Sequence, residues 1–138
     1  MNHIKLKNLL TEDEGLKLFP YRDTVGKLTI GVGRNLDDVG ISRAEAMFLL
    51  DNDIQRSIVP LLREKWFGEI NEVRKAVVIS MVFNLGHEGF KGFKNLRRCL
   101  AAHDYLAASA EMLKSKWAFQ VGDRAVRLSE MMKFGEWI

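Results

Sequence analysis

The sequence predicts an α+β fold that is mainly helical, with a small β-hairpin lobe joined to a larger helical lobe by a long helix. Residues 28–33 alternate between apolar and small or polar side chains, which is the period of a strand. From Ser42 onward, apolar residues recur at three- and four-residue steps, which is the period of a helix. The two patterns are not interleaved, which argues against a repeating β-α-β order. We expect a single domain over 1–138, with the hairpin lobe at about 15–41 and the helical lobe formed by 1–14 and 42–138.

The first third of the chain predicts a helix followed by an antiparallel hairpin. Residues 4–14 carry apolar side chains at helical spacing. Two extended stretches follow, at 16–21 and 28–33, with a polar, glycine-containing turn between them. In the second stretch the apolar positions are Leu28, Ile30 and Val32, and we expect them to face the core of the lobe. Residues 35–40 predict a loop.

The remainder predicts helices. Ser42 and Glu45 form a capping box at the start of a long amphipathic helix, and Pro60 should kink or end that helix. Residues 72–85 are nearly all apolar at their centre and predict a buried central helix. Further helical patterns cover 106–112 and 123–132.

Composition excludes several classes of protein. With 47% hydrophobic and 28% charged residues in 138, the chain is not of the disordered type. A single cysteine permits no intrachain disulfide, and three histidines and one cysteine, widely scattered, argue against a Cys/His zinc site. We expect no cofactor and no metal. The formal charge of +3 favours approach to an anionic polymer. We find no recognised nucleic-acid motif, so no nucleic-acid partner is expected.

The N-terminus lacks the pattern of an export signal. Lys5, Lys7 and the acidic residues 12–14 interrupt any apolar run of signal-peptide length. The longest apolar stretch, around 76–83, is too short to span a bilayer. We therefore expect synthesis in the cytoplasm, no signal peptide and no stable membrane anchoring.

Glu14, Asp23 and Thr29 are the residues that can carry chemistry. Glu14 ends the first helix, Asp23 lies beside the hairpin turn, and Thr29 lies on the second strand with its side chain expected to face a cleft. Two carboxyl groups and a hydroxyl suit hydrolysis of an acetal, because one acid protonates the leaving oxygen while the others handle a water. Spacing alone favours structural roles instead: a Thr11–Glu14 capping box, an Asx turn at Asp23 and an ordinary strand threonine.

A resemblance to the phage lysozymes of the T-even type outweighs these structural roles. It covers nearly the whole chain in order, and its most specific part is the Glu–Asp–Thr spacing with the Thr-Ile-Gly-x-Gly strand. The blocks that carry it are Asp13-Glu14-Gly15-Leu16-Lys17-Leu18, Tyr21-Arg22-Asp23-Thr24, Leu28-Thr29-Ile30-Gly31-Val32-Gly33, Met81-Val82-Phe83-Asn84-Leu85-Gly86, Gly89 with Gly92-Phe93, Ser115-Lys116-Trp117, and Asp123-Arg124-Ala125 with Arg127.

The resemblance implies a two-lobed lysozyme fold and a muramidase. Such an enzyme cleaves the β-1,4 bond between N-acetylmuramic acid and N-acetylglucosamine in peptidoglycan. By resemblance, Glu14 is the general acid, Asp23 positions or activates water or stabilises the oxocarbenium charge, and Thr29 holds the water. The family is described as inverting, for which the carboxyl groups are expected about 6.5–9.5 Å apart.

The resemblance also implies supporting residues. Arg124 matches an arginine near the catalytic glutamate and is expected to orient Glu14. Phe83 and Asn84 correspond to residues that line the saccharide cleft, although an aromatic at helical spacing is more often a core residue. Asn35 is a further candidate for substrate binding.

Two features depart from the T-even pattern. Arg34 stands where the T-even enzyme has a histidine, and Asp53 matches the aspartate that pairs with that histidine. We therefore expect an ion pair between Arg34 and Asp53 that ties the lobes together, unless both are exposed, in which case they would contribute little. The loop over 35–40 is shorter, so the far end of the cleft should be more open.

These expectations describe a phage endolysin for host cell lysis, with peptidoglycan as its partner. It would remain in the host cytoplasm as a monomer until a holin-like pore gives it access to the wall. The alternatives are a lytic transglycosylase, which forms an anhydro sugar without water, and a non-enzymatic binding module. The presence of Asp23 and Thr29 disfavours the transglycosylase, and the complete set disfavours the binding module.

Overall fold

A computed structural model describes residues 1–138, and its chain forms two compact units, Met1–Leu49 and Leu50–Ile138. The first unit contains one helix, a three-stranded sheet and the start of a second helix; the second unit is entirely helical. The expected α+β, mainly helical fold is confirmed. Residues 1–14 belong to the first unit, and their assignment to the helical lobe stays a prediction.

Helix α1 (His3–Glu14) confirms the first predicted helix. Its N-terminus is capped by the Asn2 side chain, which accepts a hydrogen bond of 3.0 Å from the Lys5 N–H. Thr11 lies inside this helix, and its hydroxyl donates to the carbonyl of Lys7 at 2.7 Å. Since Glu14 is the last helical residue, a Thr11–Glu14 capping box does not form.

The sheet confirms the antiparallel hairpin and adds a third strand. Its strands β1 (Lys17–Arg22), β2 (Leu28–Gly31) and β3 (Arg34–Asn35) lie in the order β1-β2-β3, with both pairs antiparallel. Thr29 in the central strand pairs with Tyr21 on one side and Asn35 on the other. Asn35 therefore belongs to a strand and not to the predicted loop. The sequence did not indicate this strand, because two residues are too few to show the period of a strand.

Burial along β2 does not follow the alternation expected from the sequence. Thr29 is buried, with 3% of its surface exposed, whereas Leu28 and Ile30 are half-buried and Val32 is exposed. Thr29 lies in the central strand, where a residue of each outer strand pairs with it. The Thr29 hydroxyl donates a hydrogen bond to the Lys27 carbonyl, and this bond offsets the cost of burying the hydroxyl group.

Helix α2 (Arg43–Ile58) begins at the predicted capping box. The Glu45 N–H donates to the Ser42 hydroxyl at 3.1 Å, and the Ser42 N–H donates to the Glu45 carboxylate at 2.9 Å. The helix ends before Pro60, which lies in a 3-10 helix over Val59–Arg63. Both expectations are confirmed, and the boundary between the two units lies within α2.

The helices after α2 are α3 (Lys65–Glu69), α4 (Glu72–Lys91), α5 (Lys94–Ala101), α6 (Tyr105–Leu113), α7 (Lys116–Val121) and α8 (Asp123–Phe134). Helix α4 of the second unit confirms the predicted helix and its burial, and it packs against α8. Gly86 interrupts α4 with a φ of +74°. The apolar face of α4 includes Val77, Val78 and Met81, all of which are fully buried. None of the helices has the length and the apolar character that crossing a membrane would need.

Candidate active site

Glu14 lies at the end of α1 with its carboxylate against Gly33. A methyl group built on Gly33 would be 3.3 Å from Glu14 Oε2, closer than most carbon contacts in proteins. The absent side chain therefore leaves room for the carboxylate. The two residues border an open cavity of about 570 Å³. Its lining residues are Lys7, Leu10, Thr11, Glu14, Val32 and Gly33.

Asp23 follows β1 and closes the hairpin turn with one of its two carboxylate oxygens. Oδ1 accepts hydrogen bonds from the N–H groups of Val25 at 3.0 Å and Lys27 at 2.8 Å. The Asx-turn role considered from the sequence is therefore present. Oδ2 accepts no hydrogen bond from the protein, so this oxygen remains available to a water or a substrate.

Lys27 connects Asp23 to Thr29 through its main chain. Its N–H donates to the Asp23 carboxylate, and its carbonyl accepts from the Asp23 N–H at 2.9 Å and from the Thr29 hydroxyl at 2.9 Å. One peptide segment thus holds both candidate side chains. Because the hydroxyl proton of Thr29 is committed to Lys27, its oxygen offers lone pairs rather than a proton to a neighbouring group.

The three candidate catalytic residues therefore lie in one unit, at the end of α1, in the turn after β1 and in β2. Asp23 and Thr29 both bond to Lys27 in the turn between β1 and β2, and Glu14 lies against Gly33 in the turn between β2 and β3. The separation of the two carboxyl groups and the roles of the three side chains stay predictions.

A comparison of the sequence with models of protein families finds a match. The family model described as phage lysozyme matches residues 11–132, a range that includes all three candidate catalytic residues. The chain belongs to the phage lysozyme family. It is accordingly a glycoside hydrolase of the lysozyme type, as the resemblance of its motifs implied.

Two curated proteins illustrate the relationship. The chain is similar to a protein named probable T4-type lysozyme 1, from Dictyostelium discoideum, with 26% identity over 94% of each chain. It is also similar to a protein named SAR-endolysin, from Escherichia phage Mu, with 32% identity over 80% of this chain and 64% of the phage protein.

Arg34 and Asp53 both have partners close to them in the chain. The Arg34 guanidinium donates to Glu45 at 2.9 Å and to the Gly40 carbonyl at 3.1 Å, and Asp53 accepts from Arg56 at 3.2 Å. Arg34 and the Ser42 cap hold the pKa of Glu45 at about 2, well below its usual range, and Glu45 raises the pKa of Arg34. The expected pair between Arg34 and Asp53 stays a prediction.

The remaining candidates occupy exposed or partly exposed positions. The Asn35 side chain accepts from the Asp38 N–H and donates to the Asp38 carboxylate, both at 3.0 Å, so this amide holds the loop after β3. Phe83 is 50% exposed, and neither it nor Asn84 belongs to the core of the second unit. Arg124 is exposed in the first turn of α8. Substrate binding by the first three and the orienting role of Arg124 stay predictions.

Sequence reasoning missed the acidic pair Asp37–Asp38. Asp37 accepts from the Leu28 N–H at 2.8 Å, and Asp38 accepts from the Lys27 ammonium at 3.1 Å. Two adjacent acids shortly after a hairpin were the only signal, and such a pair is ordinarily a solvated loop feature. No cluster of His, Cys, Asp or Glu side chains in the structure has the makeup of a metal site.

Proposed function

We propose that this phage lysozyme is an endolysin that hydrolyses the β-1,4 bond between N-acetylmuramic acid and N-acetylglucosamine in peptidoglycan. The observation that carries the proposal is the connection of Asp23 and Thr29 through Lys27, in the same unit whose open cavity holds the Glu14 carboxylate. The name of the phage relative, an endolysin, supports a cell-wall substrate.

The proposed mechanism uses each group according to its hydrogen bonds. Glu14, in its protonated form, donates a proton to the glycosidic oxygen as the bond to the anomeric carbon breaks. A water bound to the Thr29 oxygen attacks that carbon, and Asp23 Oδ2 accepts the proton of the water. Because Oδ1 is held by two main-chain N–H groups, the position of Oδ2 is set by the turn. Attack from the face opposite to the leaving group inverts the anomeric configuration.

The test is clearing of outer-membrane-permeabilised Gram-negative cells, with mass spectrometry of the released fragments. Glu14→Gln removes the acid and should abolish clearing. Glu12→Gln is the matched control, because it removes an exposed carboxylate from the same helix and should clear cells at the wild-type rate.

Products decide between the alternatives. Reducing-end N-acetylmuramic acid released by the wild type alone supports the muramidase with Glu14 as its acid. Anhydro-muramic acid products would identify a lytic transglycosylase instead. Folded protein that binds sacculi and clears no cells would identify a binding module.

In its biological setting, the proposed endolysin acts as a monomer in host cell lysis. It would remain in the host cytoplasm until a holin-like pore opens the inner membrane. Expression in host cells should therefore cause lysis only when a pore-forming protein or a permeabilising agent is added. Lysis without either would contradict this part of the proposal.

A further inference from the structure

Asp37 and Asp38, in the loop after β3, contact the segment Lys27–Leu28, whose Lys27 bonds to Asp23 and Thr29. Asp37 accepts the Leu28 N–H at 2.8 Å, and its carboxylate lies 3.6 Å from the guanidinium of Arg22. Asp38 accepts from the Lys27 ammonium at 3.1 Å. The two acids therefore contact both residues of the segment Lys27–Leu28 and the strand residue that faces it.

The contacted residues are the immediate neighbours of the candidate catalytic ones. Arg22 pairs with Leu28 across the hairpin, and these residues directly precede Asp23 and Thr29 in the chain. Lys27 carries the main-chain groups that bond to Asp23 and to Thr29. A shift of this segment would therefore move both side chains together.

Two further sets of hydrogen bonds hold the turn and the acidic pair in place. Arg22 also donates to the Gly26 carbonyl at 3.2 Å, which links the end of β1 to the turn. The Asn35 amide holds Asp38 through two hydrogen bonds of 3.0 Å, so the acidic pair is itself anchored to β3. Neither acid lines the cavity beside Glu14.

We propose that Asp37 and Asp38 are positioning residues that set the geometry of Asp23 and Thr29 through Lys27 and Leu28. This inference rests on the proposed function. Their own contacts are exposed and contribute little to global stability. Small misplacements of a reacting group nevertheless lower turnover strongly. The acidic pair should consequently affect kcat far more than it affects thermal unfolding.

The experiment measures kcat and KM on solubilised glycan strands for the wild type and for Asp37→Ala, Asp37→Asn and Asp38→Ala. We expect kcat to fall about tenfold to hundredfold in Asp37→Ala, with KM within about twofold of the wild type. Asp37→Asn should recover most of kcat, because its amide oxygen still accepts the Leu28 N–H. Glu69→Ala, which removes an exposed contact to His103 of 2.8 Å, is the control and should leave both constants unchanged.

Amide hydrogen exchange, followed by NMR, gives a readout that does not depend on activity. The Leu28 N–H should exchange faster in Asp37→Ala than in the wild type and in Glu69→Ala. Asp38→Ala keeps the hydrogen bond between Asp37 and the Leu28 N–H. It should therefore lose less kcat than Asp37→Ala, and its Leu28 N–H should exchange more slowly than in Asp37→Ala. It also provides the test if Asp37→Ala does not fold.

The outcomes separate the two proposals. An inactive, folded wild type would overturn the proposed function and this inference with it. An active wild type whose kcat is lost in Glu14→Gln but unchanged in Asp37→Ala and Asp38→Ala would overturn the inference alone. A raised KM at unchanged kcat would also overturn it, because the acids would then contact the substrate.

Discussion

At the scale of single residues, Gly33 shows how a missing side chain leaves room for a candidate catalytic group. Its φ of +67° is a conformation that side chains disfavour, and a methyl group there would be 3.3 Å from Glu14 Oε2. Other glycines, such as Gly40, share the positive φ, but only at Gly33 would the added methyl group lie against Glu14. Glycine therefore serves the backbone and the neighbouring carboxylate at once.

Gly33→Ala should reduce stability and activity together. We expect a loss of about 1–2 kcal/mol from the left-handed backbone conformation and, in addition, a lower kcat because Glu14 is displaced. Denaturant unfolding and clearing assays measure the two effects. Gly40→Ala is the matched control, since its φ of +62° carries a similar conformational cost in open space. Equal activity losses in the two variants would contradict the role given to Gly33.

Asp23 has the structural role at the turn that the sequence left open, and one of its oxygens remains free for the proposed catalytic role. One oxygen serves the Asx turn, while the other remains free. A structural role at a turn and a proposed catalytic role are therefore compatible, because a carboxylate has two oxygens with separate environments.

At the scale of elements, the start of α2 depends on the ionised form of Glu45. The Glu45 carboxylate accepts from the Ser42 N–H and from Arg34, so it joins β3 to the helix cap. Arg34 and the cap lower the folded-state pKa of Glu45 to about 2, below its ordinary value of 4.5. Its stabilising contribution is therefore fully present above pH 4.5 and is lost as the pH falls toward 2.

Glu45→Gln should remove this acid sensitivity. The thermal midpoint of the variant should lie below that of the wild type at neutral pH, and the difference should shrink between pH 4.5 and pH 2 as the wild-type carboxyl is protonated. Thermal unfolding followed by circular dichroism across this range checks the expectation. A difference that stays constant with pH would show that the charge of Glu45 does not contribute.

Arg74 joins three helices of the second unit. From α4, its Nε and Nη2 atoms donate to the carbonyls of Met132 at 2.7 Å and Lys133 at 3.0 Å, at the end of α8. Its guanidinium also lies 3.8 Å from the centre of the Tyr105 ring on α6. The side chain thus satisfies carbonyls that the end of a helix would otherwise leave without partners.

Arg74→Ala should destabilise the second unit by about 1–3 kcal/mol, because the carbonyls at the end of α8 lose their charged donors. Equilibrium denaturation measures the loss. Arg98→Ala serves as the control: Arg98 is exposed and donates only to Asn95 at 3.4 Å, so its removal should cost little. Similar losses in both variants would argue against a special role for Arg74.

At the scale of the whole molecule, the core and the candidate catalytic residues occupy different units. Glu14, Asp23 and Thr29 lie in Met1–Leu49, whereas the buried apolar cluster lies in Leu50–Ile138. The first unit has equal numbers of basic and acidic residues, so the net charge of +3 belongs to the helical unit. Long-range attraction to an anionic wall polymer would therefore act on the helical unit.

Leu100→Ala should separate stability from chemistry. Leu100 is fully buried, and its truncation should lower the free energy of unfolding by about 2–5 kcal/mol. Well below its melting temperature the variant should retain wild-type kcat, because the residues proposed for chemistry lie in the other unit. Denaturation curves and kcat at low temperature provide the check. A large loss of kcat in the folded variant would contradict this separation.

Features that depend on residues close together in the chain could be predicted from the sequence alone. The capping box at Ser42 and Glu45, the end of α2 before Pro60 and the hairpin around residues 23–27 each follow from short-range geometry and hydrogen bonding. The family could also be predicted, because its motifs are long and occur in order.

The contacts between polar groups that are distant in the chain could be identified only from the folded structure. Three observations depend on how strands and loops approach one another. They are the burial of Thr29, the ion pair of Arg34 with Glu45, and the hydrogen bond from the Leu28 N–H to Asp37. The residue type alone leaves a carboxylate or a guanidinium with many possible charged and main-chain partners. Distance and angle in the folded chain select among them, since a hydrogen bond forms only within a narrow geometric range.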